Sequence, residues 1–165
     1  MTRPGISPIA VANYFLAKSL ATGIPLEPMK LIKMVYIAHG WHLVRKGRPL
    51  LTEAILAWKF GPVIESLYHK VKQFRDEPIT SLITVQTQNG LDAPTIDDAE
   101  TQRFLDSVWN AYQQFTGLQL STLTHRSDTA WYEVWHNRNG KNERNALIPN
   151  DLIAKHYGQL DNARR

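Results

Sequence analysis

The sequence predicts a compact α+β fold, predominantly α-helical, built around a buried central helix at about residues 28–46. Three observations predict it: helical periodicity in most segments, a central segment that is apolar nearly all round, and only one or two short strand-like segments. The main apolar stripe of the central segment consists of Leu31, Met34, Val35, Ala38 and Trp41. A helix that is apolar in nearly every direction is buried on most sides, so the other segments are expected to pack around it.

The ends of the first two helices follow from residues with strong end preferences. Ser7 can cap a helix that has Pro8 at its first position, and Gly23 is suited to end that helix. Pro28 suits the first turn of the central helix, because the N–H that proline lacks would have no partner there. Gly47 ends the central helix.

The middle of the chain mixes strand-like and helical patterns. Residues 50–58 are short and apolar, which predicts a strand or a packed extended arm, and residues 79–87 are rich in β-branched side chains, which predicts a strand. Between them, Gly61 and Pro62 are expected to form a turn that opens a helix with Pro62 at its first position.

The last third of the chain is predicted to form helices separated by polar loops. One helix is expected to open at Thr95 and to be closed by Gly117, with a short helix at 118–125 after it. Another short helix carries Trp131, and residues 149–157 form the last one.

The length and composition of the chain limit the classes of protein to which it can belong. A chain of 165 residues fits one domain, expected over residues 1–158, and residues 159–165 are expected to fray. The absence of cysteine excludes a disulfide scaffold and a thiolate zinc site. No apolar run approaches membrane-spanning length and no signal-peptide run is present, so a cytoplasmic protein with no membrane contact is expected. The net charge of +4 is spread along the chain, so nucleic-acid binding by the protein alone is not expected.

Candidate catalytic and metal-binding residues have simpler interpretations. His39 and His42 lie three residues apart, but no HExxH motif accompanies them, and no metal or other cofactor is predicted. Ser121, His125 and Asp128 are close in sequence, whereas the members of a catalytic triad normally come from separate elements. Helix capping explains all three residues, and the protein is not expected to be an enzyme.

Two lysines lie at the start of the central helix, where positive charge is unfavourable. Lys30 and Lys33 lie in the first turns of the central helix, where the helix dipole disfavours cations by ~0.3–1 kcal/mol each. Glu27 can offset part of that cost. The residues leave two interpretations open: a solvated lysine pair, or a surface that contacts an acidic partner.

Several blocks of the sequence together resemble one protein family. The block VANYFLAKS is followed by KLIKMVYIAHGW, by AWKFGPVIESLY and, late in the chain, by LSTLTHRSDTAW. These blocks resemble the Panacea domain, the SocA-like, phage-associated GepA-like family, and span roughly residues 8–135. His39 stands where Gln is common in that family, and Ala130 where Pro is usual. The matching positions expected to be structural are Tyr36, Gly40, Trp41, Trp58, Gly61, Pro62, Tyr68, Ser121, Thr124, His125 and Trp131.

The resemblance implies an antitoxin of a type II toxin–antitoxin pair that neutralises a cognate toxin protein by direct binding. It leaves open an adaptor that delivers the toxin to a ClpXP-type protease, an enzyme with a site near Thr124 and His125, and a homo-oligomer. Binding energy at interfaces concentrates in a few aromatic or basic anchors. The residues predicted to contact the partner are Lys30, Lys33, His39 and Arg45, on the less apolar side of the central helix.

Overall fold

The central helix of the fold has the limits that the sequence predicts. The computed structural model describes residues 5–164, and in it α2 runs over Pro28–Lys46. The Glu27 side chain caps the helix by accepting a hydrogen bond from the backbone N–H of Lys30, and Gly47 ends it in the left-handed conformation, with φ of 69°. Its core residues from Leu31 to Trp41 are buried, as its nearly continuous apolar surface predicts.

The remaining helices surround α2 in a predominantly helical α+β arrangement. The helices are α1 (Pro8–Thr22), α3 (Glu65–Val71), α4 (Ala99–Tyr112), α5 (Gly117–His125), α6 (Ala130–Tyr132) and α7 (Asn150–Ala163). A 3-10 turn over Lys72–Phe74 extends α3, a π-helical turn over Glu133–Asn137 extends α6, and Gly140–Asn142 forms a further 3-10 turn. Within residues 5–164 no helix combines the length and the hydrophobicity that a membrane span requires.

Two small antiparallel sheets complete the fold. In the first, β1 (Ile55–Trp58) lies between β2 (Gly61–Val63) and β5 (Ala146–Ile148). The connection between β1 and β2 is a two-residue hairpin whose tip is Lys59 and Phe60, because Trp58 pairs directly with Gly61. The second sheet is a separate hairpin of β3 (Val85–Thr87) and β4 (Gly90–Asp92).

The prediction that a helix opens at Gly61 and Pro62 is wrong about where that helix begins. Both residues belong to β2, and the helix begins at Glu65. Gly61 has φ of 115°, which an L side chain rarely adopts, and Pro62 pairs with Ala57 on an edge strand. Proline is tolerated on an edge strand because its missing N–H leaves no ladder bond unmade.

The strand predicted over residues 79–87 is mostly absent, since only Val85–Thr87 is a strand. The preceding segment pairs with side chains and loops instead of a neighbouring strand. The Asn13 side-chain amide donates to the carbonyl of Ile83 and its oxygen accepts the Ile83 N–H, while the Ile79 N–H donates to the carbonyl of Leu26. These tertiary bonds satisfy the backbone that a sheet would otherwise satisfy.

Two further boundaries differ from the prediction in the last third of the chain. Gly117 opens α5 rather than closing α4, because Thr116 and Gln119 form a capping box there. The last helix does not end in a frayed tail at residue 159 but continues to Ala163. An ion pair connects its final turn to α2: Arg45 Nη2 of α2 lies 3.0 Å from Oδ1 of the buried Asp161.

Candidate functional site

Three of the four residues predicted to contact a partner lie inside the molecule. Lys30, Lys33 and His39 are 6%, 5% and 1% exposed, whereas the Arg45 side chain is 50% exposed. The prediction of an exposed face on α2 is therefore wrong for three of them, because neighbouring helices and the sheet cover that side of the helix as well. Contact between these residues and a toxin stays a prediction.

Lys33 holds the β1–β2 hairpin from within. Its Nζ donates hydrogen bonds to the carbonyl oxygens of Phe60 and Pro62, each at 3.0 Å. Burial lowers the pKa of Lys33 to about 7, and the amine forms no ion pair with any residue between 5 and 164. Lys33 is thus a buried structural donor, which is neither a solvated lysine nor an exposed contact.

Lys30 has a similar role, one turn earlier in the helix. Its Nζ donates to the carbonyl oxygen of Gln113, at 2.6 Å, just after the end of α4. Burial lowers the pKa of Lys30, and the charge of Glu27 opposes that shift. This hydrogen bond offsets the unfavourable interaction between the Lys30 charge and the positive end of the helix dipole, and it connects α4 to α2.

Two more helices fix the same hairpin. The indole Nε1 of Trp131 donates to the carbonyl oxygen of Trp58 at 2.7 Å, and the hydroxyl of Ser121 lies 3.4 Å from the carbonyl oxygen of Phe60. Together with Lys33, these residues from α2, α5 and α6 form what we call the hairpin clamp: Lys33, Ser121 and Trp131. The clamp restrains the hairpin on its inner side and leaves its tip facing solvent.

Phe60 at the hairpin tip borders an apolar groove. Its side chain is 70% exposed, far more than expected for a large aromatic residue in a monomer. Beside it is a groove of about 350 Å³, which we call the Phe60 groove. The apolar lining consists of Met29, Ile32, Trp58, Phe60, Val63 and Tyr68, and the basic lining of Lys33, Lys72 and Arg75.

Arg45 lies in a different depression. A polar cleft of about 690 Å³ lies between α2, α4 and the end of α7, and Arg45 lines it with Arg103. The guanidinium carbons of Arg45 and Arg164 lie 5.4 and 4.9 Å from the ring centre of Trp41. The structure therefore does not bring Arg45 together with Lys33 at one surface.

The histidines of the central helix bind the backbone and neighbouring side chains. His39 accepts the Leu51 N–H at Nδ1, so its proton is on Nε2, which donates to Asn150 Oδ1 at 2.9 Å. His42 Nδ1 lies 2.8 Å from the carbonyl oxygen of Arg48. Within residues 5–164 no three His, Asp or Glu side chains lie close enough to hold a metal ion.

No hydrolytic triad forms around Ser121. Its hydroxyl lies 3.4 Å from His125 Nδ1, but no hydrogen bond joins His125 to a carboxylate in the described portion of the chain. The Thr124 hydroxyl bonds the carbonyls of Leu120 and Ser121 within its own helix. His125 packs its ring edge-on against Trp131, with 5.5 Å between the ring centres. The arrangement suits support of the hairpin better than nucleophilic chemistry.

The sequence interpretation missed the Phe60 groove itself. Phe60 belongs to the AWKFGPV block that carries the family resemblance, but an aromatic residue is assigned to the core on base rates. The available signal was the Gly-Pro pair directly after it, which is compatible with a tight hairpin. Met29 is 41% exposed at the other edge of the groove, and no feature of the sequence predicted that exposure.

The chain matches one known family over more than half of its length. A sequence profile of the family described as "Antitoxin SocA-like, Panacea domain" matches residues 31–132, a range that contains the whole hairpin clamp. The chain is also 51% identical over 59 residues to a protein named Antitoxin SocA from Caulobacter vibrioides (strain NA1000 / CB15N). That match covers 36% of this chain and 31% of the relative's length. No solved structure matches the chain.

Proposed function

Because the chain belongs to the SocA-like, Panacea-domain antitoxin family, we propose that it is the antitoxin of a type II toxin–antitoxin pair and neutralises its cognate toxin by direct binding. A binding inhibitor requires no reactive residue. It requires a stable surface that covers or distorts the toxin's functional site. An interface of standard size buries about 1,600 Å² in total, which a domain of this size can supply.

The observation that carries this proposal is an exposed aromatic residue on a rigidly supported hairpin. Phe60 stands beside the groove, while the hairpin clamp restrains the backbone on both sides of it. Side chains that are already ordered before binding lose less conformational entropy when a partner arrives. Aromatic anchors of this kind commonly supply a large share of the binding energy at protein interfaces.

The proposal moves the contact surface from α2 to the Phe60 groove. Lys33 then acts through the hairpin it supports, and Lys30 through the packing of α4 on α2. Arg45 contributes only if the toxin also reaches the polar cleft between α2, α4 and the end of α7. The proposed place of action is the cytoplasm, where a toxin of this kind would be made, and self-association of the antitoxin stays a prediction.

The test is co-expression of this chain with the protein encoded by the neighbouring gene. Wild type should restore growth and co-purify with that protein. Phe60→Ala should weaken the complex by about tenfold or more, as expected for a hot-spot aromatic residue. Leu91→Ala is the matched control, since Leu91 is 72% exposed on β4, close to the 70% of Phe60, and should leave affinity unchanged.

The same experiment separates binding from the alternatives. Restored growth without any physical complex would contradict direct neutralisation. Restored growth that requires a ClpXP-type protease, together with faster loss of the toxin, would identify the chain as a proteolytic adaptor. Turnover of the toxin or of a toxin product by purified antitoxin would favour the enzyme interpretation.

A further inference from the structure

We propose that the Phe60 groove binds a toxin segment in which an apolar side chain is flanked by Asp or Glu. This inference rests on the proposed function and adds the chemistry of the recognised segment. Two properties of the groove carry it: an apolar floor that is partly open to solvent, and a basic rim with no acidic residue among the residues that line it.

The floor is suited to an apolar side chain. Ile32, Trp58 and Tyr68 line it, and the exposed Met29 and Phe60 stand at its edges. Trp58 and Tyr68 pack edge to face with 5.0 Å between ring centres, so the floor is a supported aromatic surface. At about 350 Å³ the groove falls at the lower end of ligand pockets, a size that matches a side chain or two rather than a large cofactor.

The rim is basic, and no acidic residue lines the groove beside it. Lys72 and Arg75 line the groove, Lys59 stands at the hairpin tip, and no Asp or Glu is among the lining residues. None of the three forms an ion pair with another residue of the described chain. Glu65 Oε1 of α3 lies 3.5 Å from His69 Nε2, and the Nδ1 of the same histidine accepts a hydrogen bond from Lys72 Nζ at 3.3 Å. A partner with carboxylates beside its apolar side chain would supply the missing negative charge.

The backbone at the rim is also unusual. Arg75 has φ of 55° and ψ of −112°, a positive-φ conformation that residues other than glycine rarely adopt. Two hydrogen bonds hold it there: the Arg75 N–H donates to Lys72 O at 3.1 Å, and the Glu77 N–H donates to Phe74 O at 2.9 Å. Backbone strain of this kind clusters at binding sites, and here it turns the chain at the groove's basic edge.

The hairpin edge restricts recognition to side chains. Strand β2 is an edge strand, but Pro62 has no N–H and the carbonyls of Phe60 and Pro62 already accept from Lys33. A partner strand would meet no N–H at Pro62 and would have to share carbonyls that already accept from Lys33, so this edge is poorly suited to extend the sheet. Nucleic acid fits less well, because phosphate binding usually uses a longer track of cations than these three residues offer.

The first experiment selects ligands for the groove without using the toxin. Short random peptides are displayed and selected on the full-length purified protein, and enriched peptides are synthesised and their affinities measured. We expect enrichment of an apolar residue flanked by Asp or Glu, with affinity that falls as salt rises. Phe60→Ala and the double variant Lys72→Glu, Arg75→Glu should each weaken binding by about tenfold or more.

The matched control is Arg103→Glu, Lys155→Glu, which changes the net charge equally at two exposed positions of α4 and α7 that do not line the groove. This control should bind the peptides as wild type does. Enriched peptides without acidic residues, or equal binding by both double variants, would overturn the proposal. Tighter binding of a single-stranded oligonucleotide than of any peptide would also overturn it, in favour of nucleic acid.

The second experiment measures toxin binding by the same variants and separates the two proposals. If wild type binds the toxin and Lys72→Glu, Arg75→Glu binds it equally well, the groove inference fails and the proposed function stands. If acidic, apolar peptides are selected but the toxin does not bind wild type, the proposed function fails and the groove recognises another protein of that chemistry.

Discussion

The amine of Lys33 occupies the space that a side chain at position 61 would need. A Cβ added to Gly61 would lie 2.7 Å from Lys33 Nζ, closer than real Cβ contacts. The same amine bonds the carbonyls on either side of Gly61, so a lysine of the central helix and a glycine of the hairpin fit together as one unit. The shape of the exposed hairpin thus depends on a buried residue.

Gly61→Ala should destabilise the protein through two effects. The positive φ of 115° costs an L residue about 1 kcal/mol, and Lys33 Nζ must shift to make room for the Cβ, which weakens its hydrogen bonds to the two carbonyls. Gly90→Ala is the control, because Gly90 has φ of 101° but nothing within 4 Å of its added Cβ. Urea unfolding should show that Gly61→Ala costs about 1 kcal/mol more than Gly90→Ala. Equal losses would show that the Lys33 contact contributes nothing.

The burial of Lys33 predicts that stability rises with pH. Its folded-state pKa is about 7, below its unfolded value of about 10.4, so between these values the unfolded chain binds more protons. The free energy of unfolding should therefore rise from pH 7 towards pH 10, by up to about 1.4 kcal/mol per pH unit. Lys33→Met should flatten this rise. The pKa of Lys30 is also lowered, so Lys30 contributes in the same direction and Lys30→Met should reduce the slope as well.

An unchanged slope in Lys33→Met would mean that the amine titrates normally and is solvated. Burial raises the pKa of Tyr14 to about 12 and that of Tyr36 higher still, so these tyrosines oppose the rise near pH 10, where tyrosines of the unfolded chain ionise. Their contribution is common to wild type and both variants, and the comparison between them removes it. The measurement is urea unfolding at several pH values between 7 and 10 for wild type and both variants.

Gly40 should tolerate no side chain because of the last helix. A Cβ at Gly40 would overlap the ring of Tyr157, a buried side chain that is 2% exposed. Gly40→Ala should cost about 1–3 kcal/mol through overpacking between α2 and α7. Gly158→Ala is the control on α7, where nothing lies within 4 Å, and its better helix propensity should leave stability equal or higher. A thermal melt of each variant is sufficient, and a wild-type melting temperature for Gly40→Ala would contradict the packing argument.

His39 should make the protein less stable in mild acid. Burial lowers its pKa, and its Nδ1 cannot gain a proton while it accepts the Leu51 N–H. Below pH 6.5 the unfolded chain binds the proton more readily, so the free energy of unfolding should fall as pH falls from 6.5. His42 and His156 act in the same direction. His39→Asn keeps an acceptor near the Leu51 N–H and should lose less stability between pH 7 and pH 5 than wild type; an equal loss would contradict this role.

The local signals in the sequence were sufficient for the helical frame. Pro28 and Gly47 fixed the ends of the central helix, and its nearly continuous apolar surface predicted that it is buried on most sides. Helical periodicity and caps act between residues within a few positions of each other, so they can be read without the fold. The family followed from blocks of the sequence alone, and the profile match over residues 31–132 confirmed it.

Contacts between residues far apart in sequence decided the rest. Strand β5 pairs with β1 across about ninety residues, so neither the sheet nor the strand position of Pro62 can be read from the local pattern. The sequence marked Lys33 as a cation in a disfavoured place, but only the packed structure supplies the Phe60 and Pro62 carbonyls that accept from it. Whether a polar group is buried depends on which distant partners reach it, because an unpartnered buried amine would be too costly. Tertiary structure therefore turned a predicted surface residue into the support of the exposed hairpin.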